Sequence, residues 1–356
     1  VEGQQEAAAY LVVRGKATIP QAGALLEILS DILLHVKLDN RERFRQMVLE
    51  SKAGMEAGLV PGGHAIANVR LRANYSEADW LGEQTGGVSQ LFFLRRLAQE
   101  VDSDWPSVLA RLEEVRRLLI NRQGLLANVT LDAAHWEGLN APLAALLDSL
   151  PSAPCARATW AASATPANEG LTIPAQVNYV AKGANLFELG YEYDGSAAVI
   201  TNHLRATWLW ERVRIQGGAY GGFCLFDLRS GVWTYVSYRD PNLRSTLDVY
   251  DRTGDFLRAL ELSDGELTKS IIGTIGSMDA YLLPDAKGYT SLARYLIGDT
   301  DAIRQARRDE VLGTTLADFR ALAAVLDKMR ESGRVVVVGS PEAIRSANVQ
   351  GDGWLE

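Results

Sequence analysis

An arginine and a tyrosine flank a pair of glycines in the run R-V-R-I-Q-G-G-A-Y-G-G: Arg214 lies upstream of Gly217 and Gly218, and Tyr220 downstream. A guanidinium presents a rigid fork of N–H donors suited to carbonyl or carboxylate oxygens, and a phenol adds an O–H donor. Gly217, Gly218, Gly221 and Gly222 surround the tyrosine, so backbone and ligand can approach where side chains would block them. These residue types at this spacing suit contact with a ligand. They also fit a structural role. Arg214 can face the last carbonyls of a helix, Tyr220 can be a half-buried strand residue, and nearby Arg212 is the alternative to Arg214.

The elements that must position this pair are a helix before it and a hairpin after it. Residues 197–213 carry the apolar stripe Ala206, Leu209, Trp210 and Val213, and the hairpin turns at Arg229, Ser230 and Gly231. Arg239, before Asp240 and Pro241, reads as an ion-pair or loop anchor, and Trp208 and Trp210 as core or interface residues. Around this segment the second half predicts strands over 175–181 and 186–194, then a helix over 243–260. Ser263 and Glu266 form a capping-box pattern that starts a helix toward Met278. Helical character follows over 284–298 and 301–331, broken near Gly313, then a buried strand over 335–338 and a short helix over 341–347.

The first half predicts a strand over 10–18 and a helix over 21–36 with the stripe Leu25, Ile28, Leu29, Ile32 and Leu33. Asn40 caps a helix ending near Gly58; 64–75 is ambiguous between strand and helix. Helices over 77–98 and 106–122, a strand over 124–131 and a helix from Asp132 to about residue 150 complete it. Pro151, Pro154, Pro166 and Pro174 then punctuate an Ala/Ser/Thr-rich passage. The expected organisation is a first domain over 1–155, a linker over 156–174 and a second domain over 175–356. Each domain is expected to be α+β, with helices packed on an antiparallel sheet, and no sequence repeat relates the two.

The chain has 356 residues, 47% hydrophobic and 22% charged, with a formal net charge of -8. That is the composition of a soluble globular protein. An acidic balance argues against nucleic acid as a partner. Cys155 and Cys224 form no disulfide framework and no metal or redox motif, which points to a reducing compartment. No apolar run is long enough for a membrane helix. The N-terminus has no signal-peptide or transit-peptide pattern and begins without Met, as in a fragment or processed product. His35, His64, His135 and His203 stand singly, and none lies within a helical turn of another, so no zinc-binding pair is present. Nucleophile-elbow, phosphate-loop and dinucleotide fingerprints are absent as well.

Residues 212–227 (RVRIQGGAYGGFCLFD), followed by 237–242 (SYRDPN), closely resemble the C-terminal half of the presequence proteases, a branch of the pitrilysin/insulinase group of zinc peptidases. Residues 15–17 (GKA), 29–33 (LSDIL) and 39–43 (DNRER) look like the start of that half, and 283–289 (LPDAKGY), 294–296 (RYL) and 338–340 (VGS) look like its close. The resemblance implies two related α+β domains, the third and fourth of a four-domain enzyme that closes around a peptide chamber. It also implies that zinc sits in the other, N-terminal half, on a motif this chain lacks. This chain would then bind no cofactor itself and be inactive alone.

Carried to the matching positions, the resemblance makes Tyr220 a donor to the oxyanion beside the zinc and Arg214 a ligand for substrate carbonyls. Gly217 and Gly218 would admit the peptide strand. The implied partners are the N-terminal zinc-bearing half and short unstructured peptides, with neither nucleic acid nor membrane, in bacterial-type cytoplasm or an organelle matrix. The isolated chain could pair as a homodimer through the surface left bare. The alternative is a separately encoded noncatalytic subunit of the same fold, acting as a peptide-binding or assembly module.

Overall fold

The computed structural model describes residues 7–154, 160, 162, 166–351 and 353–356. Cys155 and most of the expected linker before residue 166 lie outside the described residues. The first half contributes α1 (Ala22–Ser30), α2 (Arg41–Gly58), α3 (Gly63–Arg72), α4 (Glu77–Gly86), α5 (Val88–Ser103), α6 (Trp105–Leu119) and α7 (Trp136–Ser149). The second half contains β1 (Asn168–Thr172), β2 (Tyr179–Asn185), α8 (Ser196–Ala206), β3 (Gly221–Phe226), β4 (Val232–Tyr238), α9 (Arg244–Asp251), α10 (Thr253–Ala259) and α11 (Asp264–Met278). It closes with α12 (Pro284–Leu296), α13 (Asp301–Leu312), α14 (Leu316–Ser332), β5 (Arg334–Gly339) and α15 (Pro341–Val349).

One sheet of order β1-β5-β2-β4-β3 organises the chain, antiparallel except for the parallel β1–β5 pair. Its strands alternate their faces. Val335 and Val337 of β5 point into a core built with α8 and α14, whereas Val336 and Val338 point to the opposite face. This is why the unbroken valine run is apolar on both sides. The first core takes Phe319, Leu322, Ala323, Leu326 and Met329 from α14, spaced along one helical stripe. The Thr315–Asp318 capping box starts that helix. The second face is covered by α3 through Ala67 and Leu71. A helix of the first half therefore completes the core of the second.

Two charged latches reinforce that junction. Arg70 donates to both carboxylate oxygens of Glu169 at 2.6 and 2.9 Å and sits 3.3 Å from Glu83. Arg72 grips Asp79 at 2.9 and 3.0 Å and reaches Asp227 at 2.7 Å. The Tyr75 hydroxyl donates to the Gly183 carbonyl at 2.6 Å.

The mixed α and β class stands, but the expected sheet in the first half is not formed. Residues 10–18 and 124–131 hold no strand, and the described backbone from 126 to 131 makes no backbone–backbone hydrogen bond. A strand needs a neighbour to saturate its N–H and C=O groups. Neither segment has one, and Leu11 is 61% exposed. The ambiguous 64–75 stretch is helical, as α3. Within the expected linker, β1 already pairs with β5, and the strand expected over 186–194 is replaced by a turn and coil. The helix expected over 243–260 is broken into α9 and α10 at Arg252.

Candidate functional site

After α8 the chain does not continue as a regular helix. Residues Trp210–Gln216 form a π-helical turn that ends at Gly217. The Gly218 N–H donates to the Arg214 carbonyl and the Ala219 N–H to that of Val213, both at 3.1 Å. Each glycine has its own reason. A Cβ on Gly217 would lie 2.6 Å from the Val213 carbonyl oxygen, and Gly218 adopts φ of 76°, a left-handed conformation costly for other residues. The turn delivers Tyr220 to the open end of the β3–β4 hairpin, where its N–H donates to the Tyr238 carbonyl at 2.9 Å.

Arg214 and Tyr220 are brought together. The guanidinium carbon lies 5.7 Å from the Tyr220 ring centroid and 4.0 Å from that of Trp210. Tyr220 is 66% exposed. Arg212 points elsewhere: it donates to Gln216 at 2.9 Å and lies over Trp208, 5.3 Å from its centroid. Trp208 is the core residue expected, stacked on Phe256 at 4.8 Å, but Trp210 is 45% exposed and serves as the platform under Arg214.

The loop after β4 holds the turn from below. The Asn242 side-chain amide donates to the Gly217 carbonyl at 2.6 Å. The buried Asp240 carboxylate accepts from the Asn242 N–H at 2.9 Å and the Thr246 hydroxyl at 2.7 Å. Burial pushes this carboxyl above the usual carboxylate value. Arg239 makes no ion pair among the described residues. It adopts φ of 49° and lies over the Tyr238 ring at 5.5 Å, a loop anchor rather than a salt bridge. Cys224, in β3, is fully buried and its thiol is pushed up by that burial, which leaves it inert.

Sequence reasoning passed over two aromatic neighbours. Tyr238 meets Tyr220 edge-to-face at 5.6 Å, and His64, from α3, meets Tyr238 edge-to-face at 4.7 Å. Pairing register could have found Tyr238, which lies opposite Gly221; nothing local in sequence points to His64. Among the described residues no group of three His, Cys, Asp or Glu side chains is placed to hold a metal ion. Among those residues, too, no helix is long and apolar enough to cross a membrane. Two shallow depressions, one beside Phe92 and Phe93 and the other beside Arg45 and Leu49, lie on the first-half helices and include none of these site residues.

Residues 168–341, which begin at β1, match the family model described as the PreP C-terminal domain. Residues 2–97 match the model of an associated region found in subfamily C of the M16 peptidases. Presequence protease 1, chloroplastic/mitochondrial, of Arabidopsis thaliana is 47% identical over 100% of this chain, which covers 33% of that protein. The chain thus spans about a third of the length of the curated relatives it matches. Among solved structures, the peptidase M16 inactive domain from Pseudomonas fluorescens aligns with a TM-score of 0.58 at 16% identity, over 88% of this chain and 74% of that one. Pitrilysin aligns with a TM-score of 0.56 at 12% identity, over 89% of this chain and 33% of its own. At such identities the likeness shows the fold alone.

Proposed function

Because this chain belongs to the C-terminal half of the presequence protease-like M16 peptidases, we propose that it is the non-zinc half of a peptidase that degrades short unstructured peptides. It closes the peptide chamber and supplies substrate-binding and oxyanion-stabilising groups. The observation that carries this reading is the stacked Arg214–Tyr220 pair, which leaves an exposed phenol and a guanidinium on one open edge of the sheet.

Zinc, which the family implies, does not fit the described residues, and its ligands belong to the half outside this chain. Cleavage of a peptide bond places negative charge on the former carbonyl oxygen. The Tyr220 O–H donates to that oxygen, a contact that strengthens as charge develops and so lowers the barrier rather than merely binding substrate. Arg214 uses its fork of N–H donors on neighbouring backbone carbonyls, and its stacking on Trp210 fixes the fork before substrate arrives. Gly217 and Gly218 leave room for the peptide strand beside the turn.

Alone, the chain is inactive and needs the N-terminal zinc-bearing half as its partner. The exposed apolar residues of its first half, Leu11, Ile28, Leu118 and Leu126 among them, form the surface which that polypeptide covers. The compartment proposed is a reducing one, an organelle matrix or bacterial cytoplasm; the Arabidopsis relative's own description is chloroplastic/mitochondrial. The test is peptide turnover. This chain by itself should cleave nothing, while the full-length protein cleaves an unstructured quenched-fluorescence peptide and loses that rate with Tyr220→Phe. Turnover by the isolated chain would overturn the half-site reading.

A further inference from the structure

We infer that His64, contributed by the first half, is a positioning residue for Tyr220, acting through the Tyr238 ring. The inference rests on the reading of Tyr220 as a substrate-contacting group, but its geometry stands apart from that reading.

His64 is the second residue of α3, where the helix meets the end of the sheet. Gly63 brings it there: a Cβ at that position would come within 2.2 Å of the Tyr179 ring, so only glycine lets the first helical turn lie against that ring. The Tyr179 hydroxyl in turn donates to the Val60 carbonyl, tying the α2–α3 connection to β2. Held from both sides, the imidazole meets the Tyr238 ring edge-to-face at 4.7 Å, with the Tyr179 and Phe223 rings 6.4 Å away. Aromatic pairs at these spacings prefer edge-to-face geometry and resist sliding. Tyr238 meets Tyr220 in the same way at 5.6 Å. The Tyr220 backbone is already tied to Tyr238 by its N–H, so the ring contact is what remains to set the direction of the phenol.

The imidazole does this as a neutral ring. Its Nδ1 is buried without a hydrogen-bond partner, and burial pushes the group below its ordinary value. The charged groups over the surrounding rings are cations: Arg239 over Tyr238 at 5.5 Å, Arg205 over Phe223 at 6.0 Å, and Arg214 over Tyr220 at 5.7 Å. A second positive charge here has no carboxylate to meet. The string Arg214–Tyr220–Tyr238–His64 thus joins the candidate site to the half of the chain that folds over the sheet.

The test uses the full-length protein that carries this chain, with 3-fluorotyrosine placed at position 220 and an unstructured quenched-fluorescence peptide as substrate. His64→Ala is expected to shift and broaden the fluorine resonance of residue 220 and to lower kcat about ten-fold with KM nearly unchanged. His64→Phe, which keeps an aromatic edge, restores both. On a Tyr220→Phe background His64→Ala should have no further effect on kcat, because two residues acting through one group are not additive. If His64→Ala does not fold, His64→Leu takes its place as the variant without an aromatic edge. An unmoved fluorine resonance, or a kcat loss that adds fully to that of Tyr220→Phe, overturns the inference. An unchanged kcat for Tyr220→Phe alone sinks the reading of the site, while the fluorine shift still decides whether His64 orients residue 220.

Discussion

The side-chain amide of Asn242 donates to the carbonyl of Gly217 at 2.6 Å, so the loop leaving β4 fastens the turn that presents Tyr220. Asn242 is held in its turn by the buried Asp240, whose carboxylate also accepts the Thr246 hydroxyl. The exposed phenol is therefore carried on a supported backbone rather than a free loop.

Removing only the phenol oxygen tests the chemistry without disturbing that support. Tyr220→Phe in the full-length protein is expected to lower kcat by about 10²-fold, the usual effect of losing one oxyanion donor. The unfolding midpoint should stay in place, because the oxygen of an exposed ring stabilises nothing in the fold. Steady-state kinetics and a thermal melt read the two quantities; an unchanged kcat removes Tyr220 from the mechanism.

The two arginines should separate cleanly. Arg214 stacks on Trp210 and Tyr220, whereas Arg212 pairs with Gln216 over Trp208. Arg214→Ala is expected to lower kcat/KM at least about ten-fold through weaker peptide binding and slower turnover. Arg212→Ala should stay within about two-fold of the parent. The reverse order of effects would reassign the contact.

Gly218 is fixed by its backbone angle. At φ of 76° a Cβ carries strain, so Gly218→Ala should destabilise by about 1 kcal/mol, read from denaturant unfolding, although the nearest atom such a Cβ would meet is 3.7 Å away. Gly218→Asn should cost less, since asparagine tolerates left-handed backbone. Equal costs for the two would argue that something other than the dihedral angle is responsible.

Arg70 is the latch to break. Its partners Glu83 and Glu169 are both buried, with the Glu83 side chain only 1% exposed. The carboxylates hold the Arg70 guanidinium above its ordinary value, Glu169 contributing most. Arg70→Met would strand two buried carboxylates and is expected to cost about 3 to 5 kcal/mol. Denaturant titration measures it; a loss below about 1 kcal/mol would mean that the packing of α3, and not its charges, joins the halves.

Acid should loosen the fold through its histidines. Burial holds His64 and His203 below the ordinary 6.5. The unfolded chain therefore takes up these protons before the folded chain does. The stability they contribute is present above pH 6.5 and is lost as pH falls through it toward their depressed folded values. Urea midpoints between about pH 7.5 and about pH 5 should fall, and less steeply in His64→Phe/His203→Gln. Identical slopes would place the acid sensitivity on carboxylates instead.

What sequence alone determined were the features whose causes are local. The capping box at Ser263 acts over a single turn, and the turn at Gly231, with its φ of 71°, depends on its own residues. The valine run declares itself a buried strand by its composition. The segment with Gly217, Gly218 and Tyr220 was legible for the same reason, since close backbone approach and a donor are written in a few adjacent residues. Tertiary structure alone decided the rest. Whether residues 10–18 and 124–131 become strands depends on a partner that the local pattern cannot supply, and among the described residues none pairs with them. The placement of β5 between β1 and β2, the use of α3 to cover the far face of the sheet, and the arrival of His64 beside Tyr238 all join residues distant in the chain. Such contacts exist because each apolar face must be covered by whatever element the topology brings to it, and no local periodicity encodes which one that will be.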